Sequence, residues 1–380
     1  MNIVLLDITD NYPKKFSANN SKAEYIARGL LENGCEVYII NLTKGDEQID
    51  EITSGVSNFG IKYITFPNKH KYFEWLFKSS SIIKILKNCS GNEKNVVIIG
   101  MNYFHIFVTN SLISKLCGYK RTALFHEWHI GSKHSNFLRR FEAWLKDNTF
   151  GYFLNGIFPI SSYLMEKSIK FNKRILKLPI IASYPTLQLS RKDSYEYFVY
   201  CAQADYYRII KFVIDTYLLA IKKGVLQRLV IVLHGKEIHI NKIQNIINEY
   251  RLGNCIEIKT KLLNEELIDL YKNALGLIIP LDPNSLQDTA RFSQKIAEYV
   301  SSGRPIITSK TGEIPYYFKN RKSALIVPYT IESYADAMLT LSKDYELAFN
   351  IGNEGRDVGM KYFDYKKNVE QIIDFFEHLF

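Results

Sequence analysis

Two short stretches of the chain carry side chains able to do chemistry. The first is Arg291-Phe292-Ser293-Gln294-Lys295-Ile296-Ala297-Glu298, where two cations and the backbone N–H groups of Phe292 and Ser293 stand just ahead of a helical pattern, read as a strand–helix turn. A helix N-terminus gathers anions through its free N–H groups. Cations in that turn oppose the helix dipole, which favours a phosphate in front of them over a merely solvated first turn, the ordinary alternative for Arg291 and Lys295. Glu298 follows Lys295 by three positions, so an i,i+3 surface pair is its bland alternative. The second stretch is His126-Glu127-Trp128-His129, directly after the apolar run Thr122–Phe125. Its imidazoles and carboxylate suit proton handling or polar contact with a ligand. A strand-end histidine is often structural, and a His/Glu/His group also has metal-ligand chemistry, here without further spaced ligands.

Dedicated motifs are missing. Asp7–Asn20, after the first apolar run, contains no glycine, which argues against a dinucleotide fingerprint, and there is no Walker A sequence, G-x-S-x-G, H-E-x-x-H or D-x-D pair. Phosphate binding must then rely on helix ends and basic side chains.

The elements that position these residues alternate from the start. Ile3–Leu6 reads as a strand, Lys22–Leu31 as a helix and Glu36–Asn41 as a strand, with later strands at 96–99, 122–125 and 156–160. Around 178–191 the periodicity fails, with Pro179 and Pro185. It then restarts with Tyr197–Cys201 and runs through Leu229–Leu233, Ile256–Ile258, Gly276–Pro280, the helix Gln294–Ser302 and the strand Pro305–Thr308. The expectation is two doubly wound parallel-sheet α/β domains, 1–185 and 186–365, with an aromatic helix at about 366–380 packing back on the first.

The order Arg291-Phe292, Lys295-Ile296, Glu298-Tyr299, Gly303, Pro305-Ile306-Ile307-Thr308, then Gly312-Glu313-Ile314, resembles the donor-site signature of retaining GT-B glycosyltransferases, specifically glycosyltransferase family 4. Leu30–Leu42, Phe158–Leu164 and Leu263–Pro280 are weaker likenesses that extend it along nearly the whole chain. The resemblance implies two Rossmann-like domains facing across a cleft, the first for the acceptor and the second for a nucleotide-sugar. It implies retention, no metal and no cofactor. It makes Glu298 the ribose contact and His126 the active-site histidine, with Glu127 and His129 toward the acceptor. Arg208 is the best match to the phosphate-clamp lysine, and Arg291, Phe292, Ser293 and Lys295 complete the donor site. A first glutamate, eight positions before Glu298, is expected to meet the donor sugar; Ala290 stands there, with Asp288 and Arg291 as the substitutes at hand.

Of 380 residues, 49 are Lys or Arg and 39 Asp or Glu, a net charge of +10. Residues 61–180 hold the excess, 19 basic against 6 acidic, with aromatics interleaved in Lys69–Lys78 and Asn136–Lys146. Two readings compete, a half-buried helix face solvated by its cations and a contact with an anionic bilayer. No nucleic-acid-binding motif accompanies the charge, so nucleic acid is not expected as a partner. Five unpatterned cysteines, no signal-like start and no run of about 18 apolar residues lead us to expect a cytoplasmic protein, at most at the inner face of the plasma membrane. The function expected is transfer from a UDP- or GDP-linked sugar to an acceptor hydroxyl, such as a lipid-linked glycan in envelope, capsular or O-antigen polysaccharide synthesis. A sugar-nucleotide 2-epimerase of the same fold and an inactive nucleotide-sugar binder are the alternatives.

Overall fold

The computed structural model describes residues 1–14, 17–42, 51–66, 74–91, 94–129, 137–186 and 194–380. Part of the basic Lys69–Lys78 segment, together with Asn136 and the end of the 178–191 connection, lies outside them. Two compact units emerge: Met1–Ser183 with Ala290–Gln294 and Phe363–Phe380, and Tyr184–Thr289 with Lys295–Tyr362.

In the first unit the chain runs β1 (Asn2–Leu6), α1 (Ala18–Glu32), β2 (Glu36–Asn41), β3 (Thr53–Val56), β4 (Lys62–Thr65), α2 (Glu74–Cys89), β5 (Asn95–Ile99), α3 (Phe104–Leu116), β6 (Lys120–Phe125), α4 (Phe137–Thr149), a 3-10 turn Phe150–Phe153, β7 (Gly156–Pro159), α5 (Ser162–Ile169) and β8 (Arg174–Ile175). The strands order as β3-β4-β2-β1-β5-β6-β7-β8, parallel except for the β3–β4 edge hairpin. Ile3 to Leu6 are wholly buried, as a central strand covered on both faces requires. Ser17 caps α1 by accepting from the Asn20 N–H at 3.2 Å, and Ser161 caps α5 by accepting from the Leu164 N–H at 3.2 Å.

The second unit runs β9 (Tyr197–Gln203), α6 (Tyr207–Lys222), β10 (Arg228–His234), α7 (Glu237–Glu249), β11 (Ile256–Thr260), α8 (Asn264–Asn273), β12 (Gly276–Ile279), α9 (Leu286–Ala290), α10 (Gln294–Ser301), β13 (Ile306–Ser309), α11 (Ile314–Tyr317), β14 (Leu325–Val327), α12 (Ile331–Lys343) and α13 (Tyr345–Tyr362). Its sheet, β11-β10-β9-β12-β13-β14, is parallel throughout. The chain then re-enters the first unit: the Ala182 N–H donates to the Phe363 carbonyl at 2.9 Å, and α14 (Tyr365–Glu377) lies on α1. There Gly29 does what only glycine can, since a Cβ would come within 2.6 Å of Val369. Phe375 and Phe376 close the contact against Phe158, with ring centroids 4.8 and 5.8 Å away.

Candidate active site

In open α/β sheets the ligand site lies outside the carboxyl ends of the strands, where the winding direction reverses. In the first unit that point is between β1 and β5, and a cavity of about 170 Å³ is found there. It is lined from β1 by Asp7, from β5 by Gly100 and Asn102, and from β6 by His126, Glu127 and His129. The strand ends touch so closely that a Cβ on Gly100 would fall 1.7 Å from the Asp7 carbonyl oxygen, and Asn102 Nδ2 donates to that same oxygen at 2.9 Å.

His126, Glu127 and His129 of the second stretch are thus brought together on one wall. His126 is half-buried, and its Nε2 is buried without a hydrogen-bond partner among the described residues. Burial, reinforced by the nearby Lys22 charge, holds its pKa well below the usual imidazole value, so at neutral pH the ring is uncharged. Glu127 is exposed at the rim. His129 is held by a wholly buried Asp147, its Nδ1 2.8 Å from Asp147 Oδ1, which fixes the ring orientation.

Two residues of this neighbourhood escaped the sequence reading. Lys22 is 3% exposed, donates from Nζ to the Pro179 carbonyl at 3.1 Å, and is driven down to a pKa of about 7 by burial. Asp147 looks like one charge among several on a surface helix. Neither has a spacing that marks it, because their partners stand 157 and 18 residues away.

In the second unit the reversal lies between β9 and β12. Arg208, in the first turn of α6, has a side chain 74% exposed and donates to Asp282 Oδ2 at 2.8 Å, just past β12. Asp282 N–H in turn donates to Asp288 Oδ2 at 3.1 Å. Lys295 donates from Nζ to the Cys201 carbonyl at 2.7 Å, on β9. Glu298 is half-buried one turn further along α10; burial pushes its carboxyl up to about 7 against the opposing pull of Lys295. Lys295 also lowers His234 at the end of β10, after the larger effect of burial. Arg208, Lys295 and Glu298 therefore gather around the ends of the same strands.

Arg291, Phe292 and Ser293 behave differently. The expected strand–helix turn is a helix–helix junction: α9 precedes it and α10 follows, because Leu286–Ala290 closes a turn of its own after the Asp282–Ser285 bend. The junction clusters with the first unit. Ser161 Oγ donates to the Ala290 carbonyl there, and the Phe292 ring meets Phe363 edge-on at 5.6 Å. Ala290 is itself fully buried. Among the described residues no three His, Cys, Asp or Glu side chains converge as a metal-ligand set.

Residues 188–358 match the model of the family glycosyl transferases group 1. A comparison with curated proteins finds no match. Among solved structures, a sucrose-phosphate synthase from Thermosynechococcus elongatus superposes with a TM-score of 0.77 at 15% identity, covering 99% of this chain and 98% of that one. Anabaena HepE in complex with UDP-glucose gives 0.72 at 13% identity, covering 98% of each chain. S. aureus TarM, in complex with fondaparinux, alpha-GlcNAc-glycerol and UDP, gives 0.68 at 10% identity over 99% of this chain and 100% of that one. The chain has the GT-B fold over its length and a glycosyl transferases group 1 domain in its second half, and it is a glycosyltransferase.

Proposed function

We propose that the chain transfers a sugar, with retention, from a UDP-linked donor to the hydroxyl of a lipid-linked glycan in envelope, capsular or O-antigen polysaccharide assembly, at the cytoplasmic face of a membrane. The observation that carries the donor half is the exposed Arg208 guanidinium, steered by Asp282 to the β9/β12 reversal beside Lys295 and Glu298. UDP is preferred to GDP because two of the similar structures, HepE and TarM, hold UDP or UDP-glucose. Membership of glycosyltransferase family 4 is part of the proposal and rests on the residue order from Arg291 to Ile314.

As the glycosidic bond breaks, negative charge grows on the leaving β-phosphate. Arg208, Lys295 and Arg291 supply the cations and Phe292 and Ser293 the N–H groups that meet it, so the reaction proceeds without a metal or a cofactor. Glu298 holds the ribose hydroxyls; near pH 7 its carboxyl both accepts and donates hydrogen bonds. The neutral His126 ring orients the donor sugar, and Glu127 and His129 meet the acceptor. The leaving phosphate oxygen takes the acceptor proton.

A thermal-shift series with UDP, GDP, CDP, ADP and their sugar conjugates, in EDTA, tests this directly. A rise selective for UDP and UDP-sugars supports it, since a ligand that binds only the native state stabilises by mass action. A response confined to GDP would replace the base, and one that needs added metal would overturn the metal-free mechanism. Ala290, buried where the resemblance places the sugar-binding glutamate, favours donor binding without turnover as a second reading. Release of UDP from UDP-sugar in the presence of acceptor excludes it.

A further inference from the structure

Helix α4 is turned inside out. A helix packed on a globular unit ordinarily lays its apolar stripe on the core and its charges in water. In Phe137–Thr149 the buried residues are Ala143, Lys146 and Asp147, while Phe137, Leu138, Phe141 and Trp144 are 76%, 70%, 52% and 51% exposed. The inverted arrangement is chemically complete on its inner side. Lys146 Nζ donates to the carbonyls of Met101 at 2.9 Å and Asn102 at 2.8 Å, and Asp147 holds His129. Met101, Asn102 and His129 line the first-unit cavity, so the helix is fixed through the wall of the acceptor-side site.

Among the described residues, its outer side carries exposed apolar side chains. Phe137, Phe141 and Trp144 follow the i, i+4, i+7 stripe, and the rings of Phe141 and Trp144 stack at 6.0 Å with a 22° interplanar angle. Arg139 and Arg140 are exposed beside the stripe. At its far end Lys170 donates to Asn148 Oδ1 at 2.8 Å, and the Tyr152 ring is exposed.

We propose that this face docks on a bilayer containing anionic phospholipids. Phe137, Leu138, Phe141 and Trp144 enter the boundary between headgroups and acyl chains, and Arg139, Arg140 and Lys170 meet headgroup phosphates. Three points select this occupant. Aromatic and aliphatic side chains flanked by arginines are the composition of helices that lie in a membrane interface. The surrounding stretch, 61–180, carries 19 basic against 6 acidic residues, complementary to an anionic surface. Four such side chains offer roughly 500 Å², short of the about 800 Å² per partner of a stable protein interface.

The docking face rests on the reading of a membrane-borne acceptor, and its test is kept separate by using neither donor nor acceptor. The full chain is floated with vesicles of equal parts phosphatidylcholine and phosphatidylglycerol, and with phosphatidylcholine alone. Binding to the mixed vesicles only, weakened roughly tenfold or more by Arg139→Ser with Arg140→Ser and similarly by Phe141→Ser with Trp144→Ser, supports the proposal. Melting temperature and response to UDP should be unchanged in both double variants, because all four residues are exposed. No flotation of the parent chain overturns it, as do double variants that float like the parent. A dimer that Phe141→Ser with Trp144→Ser splits in solution would assign the face to a second copy instead. Transfer to a soluble glycan acceptor by variants that no longer float would leave the enzyme reading intact.

Discussion

Lys22 shows how one side chain can couple stability to the site it borders. Its folded pKa of about 7 lies below its ordinary value of 10.5, so between those limits the unfolded chain binds more protons than the folded one. Stability from this residue therefore rises with pH across that window, by about 1.4 kcal/mol per pH unit, and is lowest where the ammonium is buried and charged. Lys22→Met should melt higher than the parent below pH 7, with the gap closing toward pH 10; a gap independent of pH would mean that Lys22 is not charged in its pocket. Glu298 carries the opposite sign. Its folded pKa, raised to about 7 from 4.5, means the folded state binds the proton more tightly, so its contribution falls as pH rises from 4.5 through 7. Glu298→Gln should leave the fold more stable at pH 8 than the parent. Glu298→Ala should weaken UDP binding by on the order of tenfold, the loss of a charge-assisted hydrogen bond; an unchanged Kd in calorimetry would remove it from the ribose. Asp147 acts through His129. Asp147→Asn should lower kcat for transfer while leaving the Kd of UDP unchanged, because its histidine lines the first-unit cavity and the proposed donor cations belong to other elements.

Which elements could be read from the sequence follows from how their residues are buried. The central strands were legible because burial on both faces leaves unbroken apolar runs such as Ile3–Leu6 and Val96–Ile99. The edge hairpin was not: β3 is exposed or half-buried along its length, with a glycine at its third residue, and no alternation marks it. Helix α4 was visible as a helix with apolar and basic faces, but periodicity states only that two faces exist. Which one turns inward was decided by carbonyls at Met101 and Asn102 and by His129, all outside the helix. The same limit applies to the site. Arg208, Lys295 and Glu298 could be singled out because they fit a linear signature, whereas Lys22 and Asp147 owe their environments to the tertiary fold. At this scale α14 is the element most exposed to test. Phe376 is wholly buried against Phe158, so Phe376→Ala should cost about 3–5 kcal/mol, seen as an earlier first transition in denaturant while the response to UDP persists.

At the scale of the whole molecule, the chain's path decides what can fold alone. The first unit is interrupted in sequence: its sheet is complete by β8, yet α14 arrives only after the second unit has been built. Without α14, Val369, Ile372, Phe375 and Phe376 are missing from a core that includes Ile26, Leu30, Val96 and Phe158, so those side chains lose their cover. Residues 1–183 expressed alone should therefore bind a hydrophobic dye and aggregate, and adding 363–380 through a flexible linker should restore a cooperative melt. Residues 184–362 contain the second sheet and its own buried cluster from Tyr195 to Ile351, together with Arg208, Lys295 and Glu298. That fragment is expected to fold and to be stabilised by UDP, more weakly than the full chain because Ala290–Gln294 lacks its seat in the first unit, where Gln294 pairs with the backbone of Ile181. Equal stabilisation of fragment and full chain would show that the donor is held without the seat that the first unit gives Arg291, Phe292 and Ser293, and would leave Arg208 and Lys295 as the cations that the second unit itself positions for the phosphates.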